Sequence, residues 1–232
     1  MIALSRYELS LLLRSHRWIA PAVLFALGVF GLGGATLRHG AGLGPGLAWS
    51  ALMLVPVEAW LTRSMLTAEP AAARACVAAA GGPRRTQVAA LIAPTVVGAA
   101  FGLAGIVGQV FMLGVPRSVG TNAIRVGNLL SDLGGGLAAG LICLLVGSAV
   151  AVLLNPPVIR RPAIAVLGTT GAVVLALAWN GSPANAAVRS VGYAGQERTW
   201  PAGVALVAAL GLVAAAWTIS TQVAARRDGV HD

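Results

Sequence analysis

Six apolar runs, each long enough to cross a bilayer and each bounded by charge or turn residues, constrain this chain more than any other feature. They cover residues 18–37, 47–66, 88–115, 129–154, 163–180 and 201–223, and about 20 apolar residues suffice for one crossing. In hydrocarbon every backbone N–H and C=O needs a partner within the chain, so these runs are expected to be helical. The expected fold is therefore an all-α integral membrane protein, a single domain over 1–232 with six transmembrane helices. Composition argues against a soluble fold, because 57% of the residues are hydrophobic and only 10% charged, whereas soluble domains run near 25% charged. Between the fourth and fifth runs, Asn155-Pro156-Pro157-Val158-Ile159-Arg160-Arg161-Pro162 places three prolines where one helix stops and the next starts. The run at 18–37 is too long for the apolar core of a signal peptide, and no small-residue cleavage site follows, so it reads as the first permanent span.

The charge pattern orients the bundle. Sixteen arginines and no lysine stand against seven acidic residues, a formal net charge of +9. On a soluble chain that excess would point to nucleic acid. Here the arginines punctuate the ends of apolar runs, so no nucleic-acid partner is expected. An even number of spans puts both termini on one side. If that side is the cytoplasm, it holds ten arginines: Arg6, Arg14, Arg17, Arg74, Arg84, Arg85, Arg160, Arg161, Arg226 and Arg227. The other side holds five: Arg38, Arg117, Arg125, Arg189 and Arg198. That asymmetry follows the positive-inside rule, with both termini cytoplasmic.

Chemistry-bearing patterns are sparse. Two cysteines, Cys76 and Cys143, make no disulfide framework. His16, His39 and His231 lie far apart and carry no metal-ligand spacing, so no metal site is expected. Ser148 has no intramembrane histidine to activate it. Without lysine the chain cannot contain the lysine-bearing phosphate loop of ATPases. No catalytic residue is assigned, and the chain is expected not to be an enzyme.

Two segments outside the apolar runs carry more information. Over residues 2–17, Arg6, Ser10, Arg14 and Arg17 fall on one narrow helical stripe, with Ile2, Leu9, Leu12 and Leu13 on a neighbouring face. A helix of this kind is too short and charged to span and can lie in the interfacial plane, with Trp18 at the headgroup level. The alternative is a basic topology signal without defined structure. Between the second and third runs, Pro70 suits a first helical position and an alanine-rich run to Ala80 follows. Gly81 and Gly82 offer a left-handed cap and Pro83 blocks continuation. This short helix either connects two spans or serves as a handle for a partner.

Within the membrane, Glu58 costs about 2.5–3.5 kcal/mol on insertion scales, so it is expected to face a partner or a wet cavity. Arg63 is five residues on, poorly placed for a pair on the same helix face. Two readings stand for Glu58: an ion pair with another helix, or a place on a translocation cavity, with Arg63 and Gln109 as further candidates along such a path. Gln109 can also simply bond across helices. Gly98 with Gly102, and Gly136 with Gly140, form small-residue pairs that let helix backbones approach, within the chain or between subunits.

These features together resemble the permease subunits of type 2 ABC (ATP-binding cassette) exporters. The matching residues are the basic segment Arg6-Tyr7-Glu8-Leu9-Ser10-Leu11-Leu12-Leu13-Arg14 running into Trp18, and the stretch from Glu69 to Ala79-Ala80-Gly81-Gly82-Pro83-Arg84-Arg85-Thr86-Gln87. The resemblance implies that Arg6, Arg14, Arg17 and Trp18 belong to an elbow helix. It also implies that 70–80 is a coupling helix docking on an ATPase, with Glu69, Pro70, Arg74, Gly81, Gly82, Arg84 and Arg85 at or beside the contact. It implies a bacterial plasma-membrane setting, a cytoplasmic ATPase dimer that holds ATP and Mg, and a second permease subunit, identical or related. No cofactor is expected in this chain. That family often carries short re-entrant helices between spans five and six, and here 181–199 leaves room for only two small turns. Few charges in the bundle favour an amphiphilic or lipid-like cargo. The rival reading is the substrate-binding membrane component of a vitamin-type importer, which would need neither cytoplasmic helix.

Overall fold

The computed structural model describes residues 2–38, 42–69, 71–113, 126–156, 158–159, 161–192 and 201–228. Every regular element among them is helical. In order these are α1 (Ile2–Arg14), α2 (Ile19–Ala26), a π-helical segment (Leu27–Gly33), α3 (Gly34–Arg38), α4 (Leu43–Leu66), α5 (Ala71–Gly81) and α6 (Pro83–Leu113). Then follow α7 (Val126–Leu154), α8 (Pro162–Ala178), α9 (Pro183–Gly192) and α10 (Ala202–Asp228). Among the described residues, four stretches are long and apolar enough to cross a membrane: Ile19–Leu37, Arg84–Met112, Leu129–Leu154 and Ala202–Ala224. α8 and α9, bent by 46° at the break between them, make a fifth if taken as one broken span. This architecture fits a multi-pass membrane protein.

α4 is the axis of the bundle. At 24 residues it is about 36 Å long, ample for a crossing, yet Glu58, Thr62, Arg63 and Ser64 dilute its apolar character. Seventeen of its residues are buried, so it is shielded by protein instead of lipid. α6, α7 and α9 pack around it, and α10 lies outside α6 and α7 with most of its surface outward. Burial inside a polypeptide sheath is what lets a long helix carrying these polar side chains sit at the centre.

Glycines set how closely the sheath approaches. A Cβ on Gly102 would lie 3.2 Å from Leu54 Cδ1, and one on Gly136 would lie 2.9 Å from Leu47 Cδ1. A Cβ on Gly98 would overlap the Glu58 carboxyl, and one on Gly140 would touch Leu54. Both small-residue pairs therefore face α4 within the chain. At Gly147 the opposing atom is backbone, since a Cβ there would stand 2.6 Å from the backbone oxygen of Val55. Where lipid gives no hydrophobic drive between helices, such close contact supplies the dispersion energy that holds them together.

Several boundaries differ from the sequence expectation. The second helix starts at Leu43, before residue 47, and the third starts at Pro83, before residue 88. Pro83 therefore does not end a loop. It opens α6 directly, because a first-turn proline loses no helical hydrogen bond, and a single residue, Gly82 at φ +84°, separates α5 from α6. The expected two small turns in 181–199 are corrected to a ten-residue helix, α9, followed by residues outside the description. Its start is built locally: the Ala184 N–H donates to Ser182 Oγ at 3.3 Å, and Pro183 takes the first position. Ala184, Ala186 and Ala187 are buried, and Gly192 lies against Ala48.

The glycine contacts yield a direct test. Gly147→Val should lower the melting temperature of the detergent-solubilised protein or prevent folding, because the opposing atom is backbone and overpacking of this kind typically costs about 1–3 kcal/mol. Gly134→Ala, where a Cβ meets nothing within 4 Å, should be neutral or mildly stabilising. Equal effects at the two positions would contradict the packing described.

Candidate functional site

The first candidate region is α5 and its mounting. α4 ends in a tight turn in which the backbone N–H and the hydroxyl of Thr67 both donate to Arg63 O, at 3.1 and 2.9 Å. α5 follows, and its C-terminus closes where the Gly82 N–H donates to Ala78 O at 2.8 Å, in the left-handed geometry glycine permits. Ala72, Ala73, Cys76, Ala79 and Ala80 are exposed, so α5 presents a surface of small side chains. Gly81 is the last residue of the helix and Gly82 alone supplies the left-handed turn. Arg84 and Arg85 are exposed on the first turn of α6. Pro70 lies outside the described residues, and of Arg74 only its helical backbone position is described.

α1 straps this region down. Tyr7 Oη donates to Glu69 Oε1 at 2.9 Å, Arg17 Nη1 donates to Thr67 O at 3.4 Å, and a Cβ on Gly81 would meet Leu4 Cδ1 at 3.3 Å. Arg6, Arg14 and Arg17 are exposed, as the basic stripe implied. The face turned to the protein differs from the expected one. Leu4, Glu8, Leu11 and Leu12 form it, with Glu8 and Leu12 buried, whereas Leu13 is exposed. The wheel missed this stripe because Glu8, at its centre, is charged. α1 then ends in a built cap: Trp18 Nε1 donates to Leu13 O at 3.1 Å, Ser15 Oγ donates to Leu12 O at 2.9 Å, and His16 adopts φ 56° at the corner.

The second candidate region is polar and inside the bundle. The three residues expected to share a path do not come together. Glu58 is fully buried, Oε1 accepts from Thr62 Oγ1 at 3.3 Å, and Oε2 has no hydrogen-bond partner among the described residues. Arg63 turns away to donate to Asn155 Oδ1 at 2.7 Å. Asn155 also donates to Ala151 O and Thr169 Oγ1, tying α4, the end of α7 and α8 into one node. The ion-pair reading of Glu58 therefore finds no cation among the described residues. Gln109, on α6, lies level with Ser50, about two turns from Glu58 along α4, where it donates to Val29 O of the π-helical segment at 2.8 Å and to Ser50 Oγ at 3.4 Å. It fills the space left by Gly33 and Gly46, a packing role between helices.

Sequence reading missed three connections. Asn155 stood in a proline-rich turn, 92 residues from Arg63. Gln87 Nε2 donates to Ser220 Oγ at 2.9 Å, joining α6 to α10. Thr95 lies beside Glu58 on α6. None has a local signal; all are polar residues on otherwise apolar helices. No family model, curated protein or solved structure matches this chain. The fold defines a class, an all-helical multi-pass membrane protein, and the functional reading rests on the geometry above.

The strap has a titratable reporter. The hydrogen bond and then the charge of Glu69 raise the Tyr7 phenol above its ordinary value of about 10. The protonated phenol is the bonded form, so the strap persists at neutral pH and is lost as pH rises through that elevated value. The phenolate absorbance of Tyr7, obtained by difference from Tyr7→Phe, should appear at lower pH in Glu69→Gln than in the native protein. Coincident titrations would contradict the Tyr7–Glu69 contact.

Proposed function

We propose that this chain is the membrane-spanning permease subunit of an ATP-driven exporter of the type 2 ABC kind. In this reading it crosses the bacterial plasma membrane six times, with α4 as the second span and both termini in the cytoplasm. α1 is the elbow helix and α5 the coupling helix that seats on a cytoplasmic ATPase dimer. ATP and Mg belong to that partner, and a second permease subunit completes the path for an amphiphilic or lipid-like cargo. The observation that carries the reading is the mounting of α5. A sharply capped helix with a small-residue surface stands between α4 and α6, and α1 grips it at both of its roots through Tyr7–Glu69 and Leu4–Gly81. A simple connector has no need of such a grip.

The same geometry supplies a transmission route. Force applied to α5 passes to α4 through residues 67–69, where Arg17 and Tyr7 hold the chain, and to α6 through the single hinge residue Gly82. α4 is the buried axis against which α6 and α7 pack, so moving its end shifts the surfaces that line any path through the bundle. Exposed Arg84 and Arg85 flank the docking face and would meet acidic residues of the partner.

Deleting 71–80, or combining Arg84→Glu with Arg85→Glu, should abolish co-purification of an ABC ATPase from native membranes while leaving the chain inserted and folded. Undiminished co-purification would remove the coupling assignment.

A further inference from the structure

The coupling route uses the ends of α4 and leaves its buried carboxyl unexplained. Glu58 is 0% exposed. Among the described residues Oε1 accepts from Thr62 on the same helix, at the long distance of 3.3 Å. Its second oxygen, unpartnered among the described residues, is aimed at Gly98, where any side chain would collide with it. α6 otherwise brings Thr95 alongside, but that hydroxyl donates to Leu91 O at 2.9 Å. α7 offers Gly147, whose Cβ would stand 3.1 Å from Glu58 Cβ, and Leu144, at the same junction. No charged side chain faces Glu58 among the described residues. The titratable group nearest along α7 is the buried Cys143 thiol, four residues before Gly147, and Arg63 is committed to Asn155.

An ionised carboxylate in this setting would lack both a cation and an adequate set of donors, and burying one is far more costly than burying the neutral acid. A metal ion is a poor substitute, since hard cations gather about six oxygens or more and the site offers two carboxyl oxygens and two hydroxyls. We propose that Glu58 is a proton-binding site at the α4–α6–α7 junction. The packed bundle keeps it as an undissociated acid, and it gives up the proton when α4 parts from α6 and α7 and water reaches it. The two glycines make the site: they provide the space in which an acid, and no larger polar assembly, fits against α4. Opening is thereby linked to release of one proton. The packed state thus holds one proton more than the opened state, and rising pH favours opening. This stands on the surroundings of Glu58 alone and holds whether or not α5 binds an ATPase.

The test compares thermal unfolding of the full-length protein and Glu58→Gln in lipid nanodiscs between about pH 6 and pH 9. Relative to the variant, the native protein's unfolding equilibrium should move toward the unfolded side as pH rises, by at most about tenfold per pH unit, while titrations common to both cancel. Parallel profiles would overturn the site. A variant that fails to fold would overturn it too, because an amide stands in for the undissociated acid. A second measurement on the native protein alone uses dicyclohexylcarbodiimide, which reacts with undissociated carboxyls in apolar surroundings. At neutral pH the adduct should appear by peptide mass on Glu58 and be absent from the hydrated Glu69. An adduct on Glu69 with none on Glu58 would contradict the proposal.

Discussion

The bundle depends on how closely α4 can be approached. Gly98 and Gly102 on α6, and Gly136, Gly140 and Gly147 on α7, present backbone where most helices present side chains, and α4 fills the space. In a hydrocarbon setting there is little else to hold helices together. Close contact supplies dispersion energy and expels lipid from the seam. It also makes a dry interior in which the few polar groups must satisfy one another: Arg63 with Asn155, Gln87 with Ser220, Gln109 with a peptide carbonyl of the π-helical segment. Each of these bonds links different helices, so the polar groups add register to what packing alone would leave free to slide.

From that axis the remaining features follow in sequence. Four residues, 67–70, separate α4 from α5, and α5 turns into α6 at one glycine, so the three helices share a single corner. α1 lies across this corner. Its stripe of Leu4, Glu8, Leu11 and Leu12, buried at Glu8 and Leu12, faces the protein, and its exposed arginines face outward. Where α4 begins, α9 packs with similar closeness, with Val191 O against Gly44 and Gly192 against Ala48. The most buried helix is thus gripped at both ends, by the strapped corner at one and by a short packed helix at the other.

Much of this was legible in the chain. The Gly81-Gly82-Pro83 sequence announced the end of α5, and the outward arginines of α1 appeared on a helical wheel, because both depend on neighbours within a turn or two. What escaped prediction depends on distant partners. Glu8 reads as a polar interruption until α6 is beside it. Asn155 reads as a turn residue until Arg63 reaches it from the other end of the sequence. α9 was written in Ser182-Pro183, a capping pair, but three buried alanines carry so little hydrophobic signal that the helix passes for a loop. The site residues divide the same way: Glu58 and Gln109 stand out as polar residues in apolar runs, while their separation in space follows only from how the helices pack.

Coupling through α5 requires that helix to lie outside the bilayer, on the cytoplasmic side, while the sheath around α4 stays closed. The two native cysteines report on both points, since Cys76 is exposed on α5 and Cys143 is buried on α7. With a membrane-impermeant maleimide, Cys76 should label in inverted vesicles stripped of peripheral proteins and remain unlabelled in right-side-out cells, and Cys143 should stay unreacted until the protein is denatured. Labelling of Cys76 from the external side, or protection of Cys76 from both sides, would contradict it.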